Sequence, residues 1–409
     1  MPYISISISI IPSYSALPLA FSVSNIFLFH SLLPLHRYPP SPTCDSQSRA
    51  SFATVGTSHY PGSASFARTQ ITTSMGSRWW LHVQAVVWRF LMRIGMFLHD
   101  LTPPRCPSPS FTRTVPSDND GTSAVIHFYL PPDYHAQKRL GHRYPVLVNF
   151  HGGGFTLGCA TDDSRWSSMV VREVNAVVAS VSYRRAPENP FPAAVDDGVD
   201  ALLYLAANAG DLGLDISRVA LSGFSAGGNL AVTVPLRLHS RLSSEIKERF
   251  GRAESTQRLV DQTNELNIVG IFAWYPILDF LESRDHRRAM SLMPDKTLPA
   301  FFTTLFDESY LPNLDDRSSA FASPVRATDR MLATLPHDVF LYICEWDMLM
   351  KEGQTFVRRL EGLGKRVRAM MIEKACHAWD KSANPFRDQD SVDVLYRESC
   401  AEMKAIFDR

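Results

Sequence analysis

Beyond Pro116, short β-branched and apolar runs alternate with stretches in which apolar residues recur three or four positions apart. The runs at 124–130, 145–150, 176–183, 218–223, 268–275, 339–344 and 367–372 predict strands. Several are apolar at every position, which suits strands covered on both faces and therefore a parallel sheet. Helices are predicted between them, among others over 193–207, 353–363 and 391–407. This alternation puts helices on both faces of one sheet, an α/β chain with a doubly wound, mostly parallel sheet. No repeat at the period of a solenoid or propeller is visible.

Upstream the pattern changes twice. Residues 1–74 are rich in Ser, Pro and Thr, lack Lys and hold Asp45 as their one acidic residue, a composition that disfavours a packed core. Within them 15–35 is apolar but broken by Pro18, Asn25, His30 and Pro34. Three readings fit this tail: a signal or anchor, a transit peptide with only Arg37, Arg49 and Arg68, or sequence upstream of a true start at Met75. From 79 to 98 the chain turns aromatic and apolar, with Arg89 and Arg93 one helical turn apart, and predicts an amphipathic helix. Packing on the domain, as a cap within 75–101, is preferred for it over contact with a membrane surface, since many packed helices look alike. The Pro-rich 102–109 should end that helix, leaving 75–409 as one domain behind the 1–74 tail.

Charge narrows the partners. Basic and acidic residues number 41 each, so the chain carries no electrostatic footprint for nucleic acid. Six scattered cysteines show neither zinc-site spacing nor the density of a disulfide scaffold. A reducing compartment, the cytoplasm, is expected unless the N-terminus directs the chain to a membrane or organelle. Nothing in the sequence assigns an oligomeric state.

Candidate chemistry lies at strand ends. Gly223-Phe224-Ser225-Ala226-Gly227 reads G-x-S-x-G between a strand-like and a helix-like run, where glycines permit a sharp turn that holds the Ser225 Oγ clear of the sheet. His151-Gly152-Gly153-Gly154-Phe155 follows the predicted strand 145–150, and its adjacent glycines leave backbone N–H groups uncovered, as an oxyanion hole requires. A serine nucleophile needs a base, and the base needs an orienting carboxylate. Of 13 histidines, His377 lies just beyond strand 367–372, while Asp347 lies just beyond strand 339–344. Open α/β sheets bind and react at the carboxyl ends of their strands. Asp279, after strand 268–275, is the reserve carboxylate, ahead of Glu345 and Asp338.

These motifs, the run Tyr183-Arg184-Arg185-Ala186-Pro187-Glu188-Asn189-Pro190-Phe191-Pro192, Trp346-Asp347-Met348-Leu349 and Cys376-His377-Ala378-Trp379-Asp380 together resemble the hormone-sensitive-lipase-like branch of α/β-hydrolases. That branch includes bacterial esterases, arylacetamide deacetylases and many fungal enzymes, and the variant after His377 is similar to fungal members. The likeness runs from about residue 122 to the C-terminus, with the motifs in the family's order. It implies the α/β-hydrolase fold under an N-terminal helical cap. It also implies Ser225 as nucleophile, His377 as base, Asp347 as its orienter, and Gly153, Gly154 and Ala226 as oxyanion donors, with His151, Gly152, Gly223 and Gly227 supporting the two turns. The implied reaction is hydrolysis of small to medium carboxylic esters through an acyl-enzyme, without metal or organic cofactor. Lactone hydrolysis or acyl transfer on a secondary-metabolite intermediate is the alternative. A non-catalytic receptor on the same scaffold is a further one, against which His377 argues.

Some positions depart from the family. Phe224 stands where an acidic or small residue is common, Met348 for Pro, Lys351 for Asp, and Ala378-Trp379 for Gly-Phe. They reshape the pocket without removing a catalytic atom. The run 183–192 reads as a rigid supporting corner, Pro235 should kink the helix after the elbow, and the charged insertion 243–267 reads as a solvated helical excursion.

Overall fold

The computed structural model describes residues 75–116, 123–249 and 265–409. Its strands are β1 (Phe111–Pro116), β2 (Ser123–Tyr129), β3 (Tyr144–Phe150), β4 (Val177–Ser182), β5 (Leu214–Phe224), β6 (Ile268–Trp274), β7 (Asp338–Cys344) and β8 (Arg366–Ile372). They form one sheet in the order β1-β2-β4-β3-β5-β6-β7-β8. β1 and β2 are antiparallel at one edge, and the pairings from β4 to β8 are parallel. The helices are α1 (Met75–Asp100), α2 (Tyr134–Arg139), α3 (Ser164–Val174), α4 (Ala193–Ala207), α5 (Ala226–Arg249), α6 (Arg284–Ala289), α7 (Ala300–Tyr310), α8 (Asp329–Ala333), α9 (Met350–Gly362) and α10 (Asp390–Phe407).

β3 and β7 are buried at every position, as continuous apolar runs require when helices cover both faces. Successive side chains of a strand point to opposite faces. Val146, Val148 and Phe150 therefore pack with Val199 and Leu202 of α4 and Leu230 of α5, while Leu147 packs with Trp166 and Val170 of α3 on the other side. The doubly wound sheet follows from this two-sided burial.

β1 corrects the sequence reading, which began the strands after Pro116. It pairs with β2 from Phe111↔Phe128 to Pro116↔Ser123. Only Val115 of it is buried, because an edge strand is covered on little of its surface and carries a weak apolar signal. α5 continues through Pro235 to Arg249, so the ring removes one N–H inside the helix without ending it. Of the charged insertion, 243–249 extend α5; 250–264, like 1–74, lie outside the described residues.

α1 reaches further than predicted at both ends and packs with one face. Leu81, Ala85, Met96 and His99 are buried, and the Trp88 ring sits 5.4 Å from Phe301 and 4.6 Å from Phe302 of α7. Arg89 clamps the middle of the helix: Nε donates to Thr156 O at 2.8 Å, Nη2 to Ala186 O at 2.8 Å, and the guanidinium pairs with the Glu188 carboxylate at 2.7 Å. At the C-terminal end His99 Nδ1 donates to Ser382 O at 2.9 Å, and Arg387 donates to His99 O at 3.0 Å. The opposite face, with Trp79, Val86, Phe90 and Phe97, stays exposed, so packing covers one face of the helix only.

Candidate active site

β5 and α5 meet at Ser225 in a turn with almost no room. Ser225 adopts φ 55, left-handed for a residue with a side chain. Its N–H donates to Trp274 O at 2.8 Å and its carbonyl accepts from Asn229 N at 3.0 Å, which fixes the conformation from both sides. A Cβ on Gly227 would lie 1.9 Å from the Phe150 carbonyl oxygen, so only glycine lets α5 approach the end of β3. Ala226 opens α5, and its N–H is among the first four that have no intrahelical acceptor.

The ends of β7 and β8 supply the partners. Glu345 N donates to Ile372 O at 3.1 Å and Trp346 N to Ala375 O at 2.9 Å, tying the loop after β7 to the loop after β8. This brings Asp347 beneath His377. The Ser225 hydroxyl donates to His377 Nε2 at 2.8 Å, and His377 Nδ1–H donates to Asp347 Oδ2 at 2.6 Å. Asp347 Oδ1 accepts from Leu349 N at 3.1 Å, and the Asp347 side chain is only 2% exposed. Such a chain of bonds fixes the imidazole tautomer and leaves Nε2 ready to take the hydroxyl proton. The reserve carboxylates are engaged elsewhere: Asp279 with Arg326 at 2.7 Å and Leu281 N at 2.9 Å, Glu345 with Lys374 N at 2.6 Å, Asp338 with Arg366.

Facing Ser225, the glycine loop after β3 is pinned from below. His151 is fully buried, stacks on Tyr183 with ring centroids 4.2 Å apart, and donates from Nδ1 to Gly152 O at 2.8 Å. The Tyr183 hydroxyl donates to His151 O at 2.9 Å, which gives the 183–192 corner its supporting part. Gly153 has φ 115, and a Cβ there would fall 2.5 Å from the Leu157 carbonyl oxygen, a backbone atom that cannot retreat. Gly153→Ala should therefore displace the loop and lower kcat by on the order of a hundred- to a thousand-fold, the usual cost of losing an oxyanion donor. An unchanged kcat in the folded variant would remove the loop from the site.

Burial keeps two histidines neutral. Desolvation lowers the pKa of His151 to about 3 and that of His99 to about 2, where Arg387 and Lys381 add to the effect. An unfolded histidine titrates near 6.5. Below that pH the unfolded chain takes up protons that the folded chain refuses, so stability is complete above about pH 6.5 and falls on acidification. Each of these histidines alone makes the fold about 1.4 kcal/mol less stable at pH 5.5 than at pH 7.5. Buried Glu352 and Asp162, raised to about 7 and about 6, act in the opposite direction over the same range, because the folded chain takes up their protons first. His99→Gln should therefore shift the difference between the urea unfolding free energies at pH 7.5 and at pH 5.5 by about 1.4 kcal/mol in favour of the lower pH. No shift relative to wild type would contradict the neutral burial of His99.

Above the sheet lies a cavity of about 210 Å³ with Ser225 and His377 in its wall. Trp88, Leu91, Met92 and Met96 of α1, with Phe302 and Phe306 of α7, form its roof. Sequence reasoning did not identify these as lining residues, nor Tyr275 and Lys381. Tyr275 packs its ring against His377, centroids 4.9 Å apart, and its hydroxyl donates to Asp380 at 2.5 Å, as does that of Tyr396. The last residue of the Cys376–Asp380 motif thus anchors the loop that carries His377.

A family model described as the alpha/beta hydrolase fold matches residues 147–381, from β3 to just past His377. The chain belongs to that family. Among curated proteins, an AB hydrolase superfamily protein of Schizosaccharomyces pombe is 33% identical over 251 residues, 61% of this chain and 65% of that protein. Carboxylesterase 20 of Arabidopsis thaliana is 32% identical over 231 residues, 54% of this chain and 64% of that one. The chain thus spans just under two thirds of the length of these relatives. Among solved structures, a hyperthermophilic esterase from the archaeon Pyrobaculum calidifontis superposes with a TM-score of 0.64 at 26% identity, over 81% of this chain and 98% of that one.

Within this α/β-hydrolase the departure at Phe224 has a structural partner. Lys381 Nζ lies 4.0 Å over the Phe224 ring and 2.8 Å from Asp163. Burial alone would depress this ammonium, but Asp163 and Asp380 hold its pKa above the usual lysine value. A cation thus rests on the aromatic face beside Ser225, an arrangement that an acidic residue at 224 could not provide.

Proposed function

We propose that the chain is a serine hydrolase of carboxylic esters, acting through an acyl-enzyme on Ser225. The observation that carries this reading is the continuous Ser225–His377–Asp347 hydrogen-bond chain opening into an apolar cavity opposite a glycine loop. In the reaction, Ser225 Oγ attacks the ester carbonyl carbon while its proton passes to His377 Nε2. Asp347 stabilises the resulting imidazolium, and the oxyanion rests on the N–H groups of Gly153, Gly154 and Ala226. Collapse of the adduct breaks the C–O bond, and His377 returns the proton to the leaving alcohol. Water then attacks the acyl-serine with His377 again as base, releasing the acid and restoring Ser225.

The carboxylesterase and esterase names of the relatives support ester substrates. The apolar lining from Trp88, Met92, Phe302 and Phe306 favours acyl or alcohol groups of small to medium size. The fission-yeast relative supports a fungal-type member of the hormone-sensitive-lipase-like branch. Free thiols at Cys106, Cys159, Cys344, Cys376 and Cys400 support a cytoplasmic setting. The test is labelling with a fluorophosphonate followed by peptide mass mapping, together with a p-nitrophenyl ester series of increasing acyl length. Covalent adduct on Ser225 and turnover of short and medium esters are expected. An unlabelled Ser225 would return the chain to the receptor reading.

In the same reading, residues 75–101 cap the cleft and 1–74 are dispensable. A chain starting at Met75 should keep solubility and activity. One starting at Thr102 should lose the cavity roof and expose Phe302, aggregating or showing a raised KM with altered acyl preference. Identical behaviour of the two would remove the cap. Activity in the full-length chain alone would give 1–74 a role.

A further inference from the structure

The outer face of α1 has no partner among the described residues. Trp79 is 69% exposed, Phe90 and Phe97 64% each and Ile94 46%, values that core helices do not show. Positions 79, 83, 86, 90, 94, 97 and 101 recur every three or four residues and so form one stripe along the helix. Phe386, 92% exposed, prolongs it: Thr102 donates to Pro385 O and Arg387 to His99 O, which hold the 385–387 segment against the end of α1. Such a continuous apolar surface marks an interaction site.

Charge identifies what it meets. The stripe contains no Asp or Glu; the helix's one acid, Asp100, is its last residue, and Arg89 is paired with Glu188 on the inner side, so the exposed charge within the stripe is Arg93, beside Phe90, Ile94 and Phe97. A second copy docked on the same face about a twofold axis would bring two exposed Arg93 side chains into one apolar interface with no acid in the stripe to meet them. An anionic surface meets both requirements. The segment from Arg78 to Asp100 is long and apolar enough to cross a membrane. In this fold it cannot do so, since Arg89 is bonded to Thr156, Ala186 and Glu188 and Trp88 is stacked on α7. The helix can only lie flat, with its inner face on the protein.

We propose that α1 docks the protein in the plane of an anionic phospholipid bilayer. Trp79, Phe90, Ile94 and Phe97 enter the boundary between headgroups and acyl chains, and Arg93 pairs with lipid phosphate or carboxylate. The inner face of the same helix supplies Leu91, Met92 and Met96 to the cavity, so docking sets the cleft at the interface where apolar esters partition. That consequence rests on the esterase reading, whereas the docking itself does not.

The test is co-sedimentation of the full chain with vesicles of phosphatidylcholine alone or with about one third phosphatidylserine. Binding to the anionic vesicles, at least about ten-fold above neutral ones and weakened by salt, is expected. The triple variant Trp79→Ser, Phe90→Ser, Phe97→Ser should lose about ten-fold or more of that binding. Its hydrolysis of soluble p-nitrophenyl butyrate should stay within about two-fold of wild type, because none of the three residues lines the cavity. Three outcomes would overturn the proposal: no sedimentation with either vesicle, equal sedimentation of wild type and triple variant, or a solution dimer that the substitutions convert to monomer. Absence of hydrolysis in a wild-type chain that still sediments would count against the esterase reading alone.

Discussion

Ser225→Ala is expected to lower ester hydrolysis by on the order of a million-fold while leaving the fold unchanged, the size of loss seen when a serine nucleophile is removed. The hydroxyl Oγ, 2.8 Å from His377 Nε2, is the atom that would form the acyl bond, and alanine deletes it alone. What holds the turn is backbone: the bonds from Ser225 N to Trp274 O and from Asn229 N to Ser225 O survive the substitution. Both residues meet the same steric cost at φ 55, so stability should change little. A residual rate of about a thousand-fold over water should persist, because the glycine loop still stabilises the oxyanion for attack by water. Turnover of p-nitrophenyl butyrate, circular dichroism and the unfolding midpoint measure these effects together. Near-wild-type turnover in a folded variant would sink the acyl-enzyme mechanism.

The parts of this molecule that sequence revealed are those in which function and local backbone coincide. β3 and β7 are apolar at every residue because both faces are covered, and that burial is written in the sequence itself. The Gly223–Gly227 turn was legible because close approach to Phe150 demands glycine. Asp347 and His377 could be placed by counting strands, since both follow strand ends on one edge of the sheet. β1 was hidden because an edge strand with Arg113 and two threonines has no apolar rhythm. Which face of α1 would be covered was hidden too, as both faces are apolar and the inner one is selected by contacts with distant segments, those of Arg89 with Thr156 and Glu188 and of His99 with Ser382. The Lys381–Phe224 and Tyr275–Asp380 contacts join residues more than a hundred positions apart, and no local pattern announces such pairs.

The choice between carboxylates gives the second large effect: Asp347→Asn should cut kcat by on the order of ten-thousand-fold, and Asp279→Asn by less than about ten-fold. The reason lies in what surrounds Asp347. Its Oδ1 accepts from Leu349 N–H at 3.1 Å, so an asparagine in its place must turn its oxygen to that donor. The amide NH₂ then faces His377 Nδ1, 2.6 Å away in the native arrangement, where a donor already points outward from the ring. To avoid two opposed hydrogens, the imidazole shifts its proton to Nε2, and Nε2 can no longer accept the Ser225 proton. Geometry survives while the tautomer is wrong, so KM should stay close to its native value as kcat collapses. Asp279, by contrast, pairs with Arg326 and caps Leu281 N, so its replacement weakens a loop without touching the imidazole. Equal losses in the two variants, or a larger one at Asp279, would transfer the orienting role to Asp279 and overturn the assignment of Asp347.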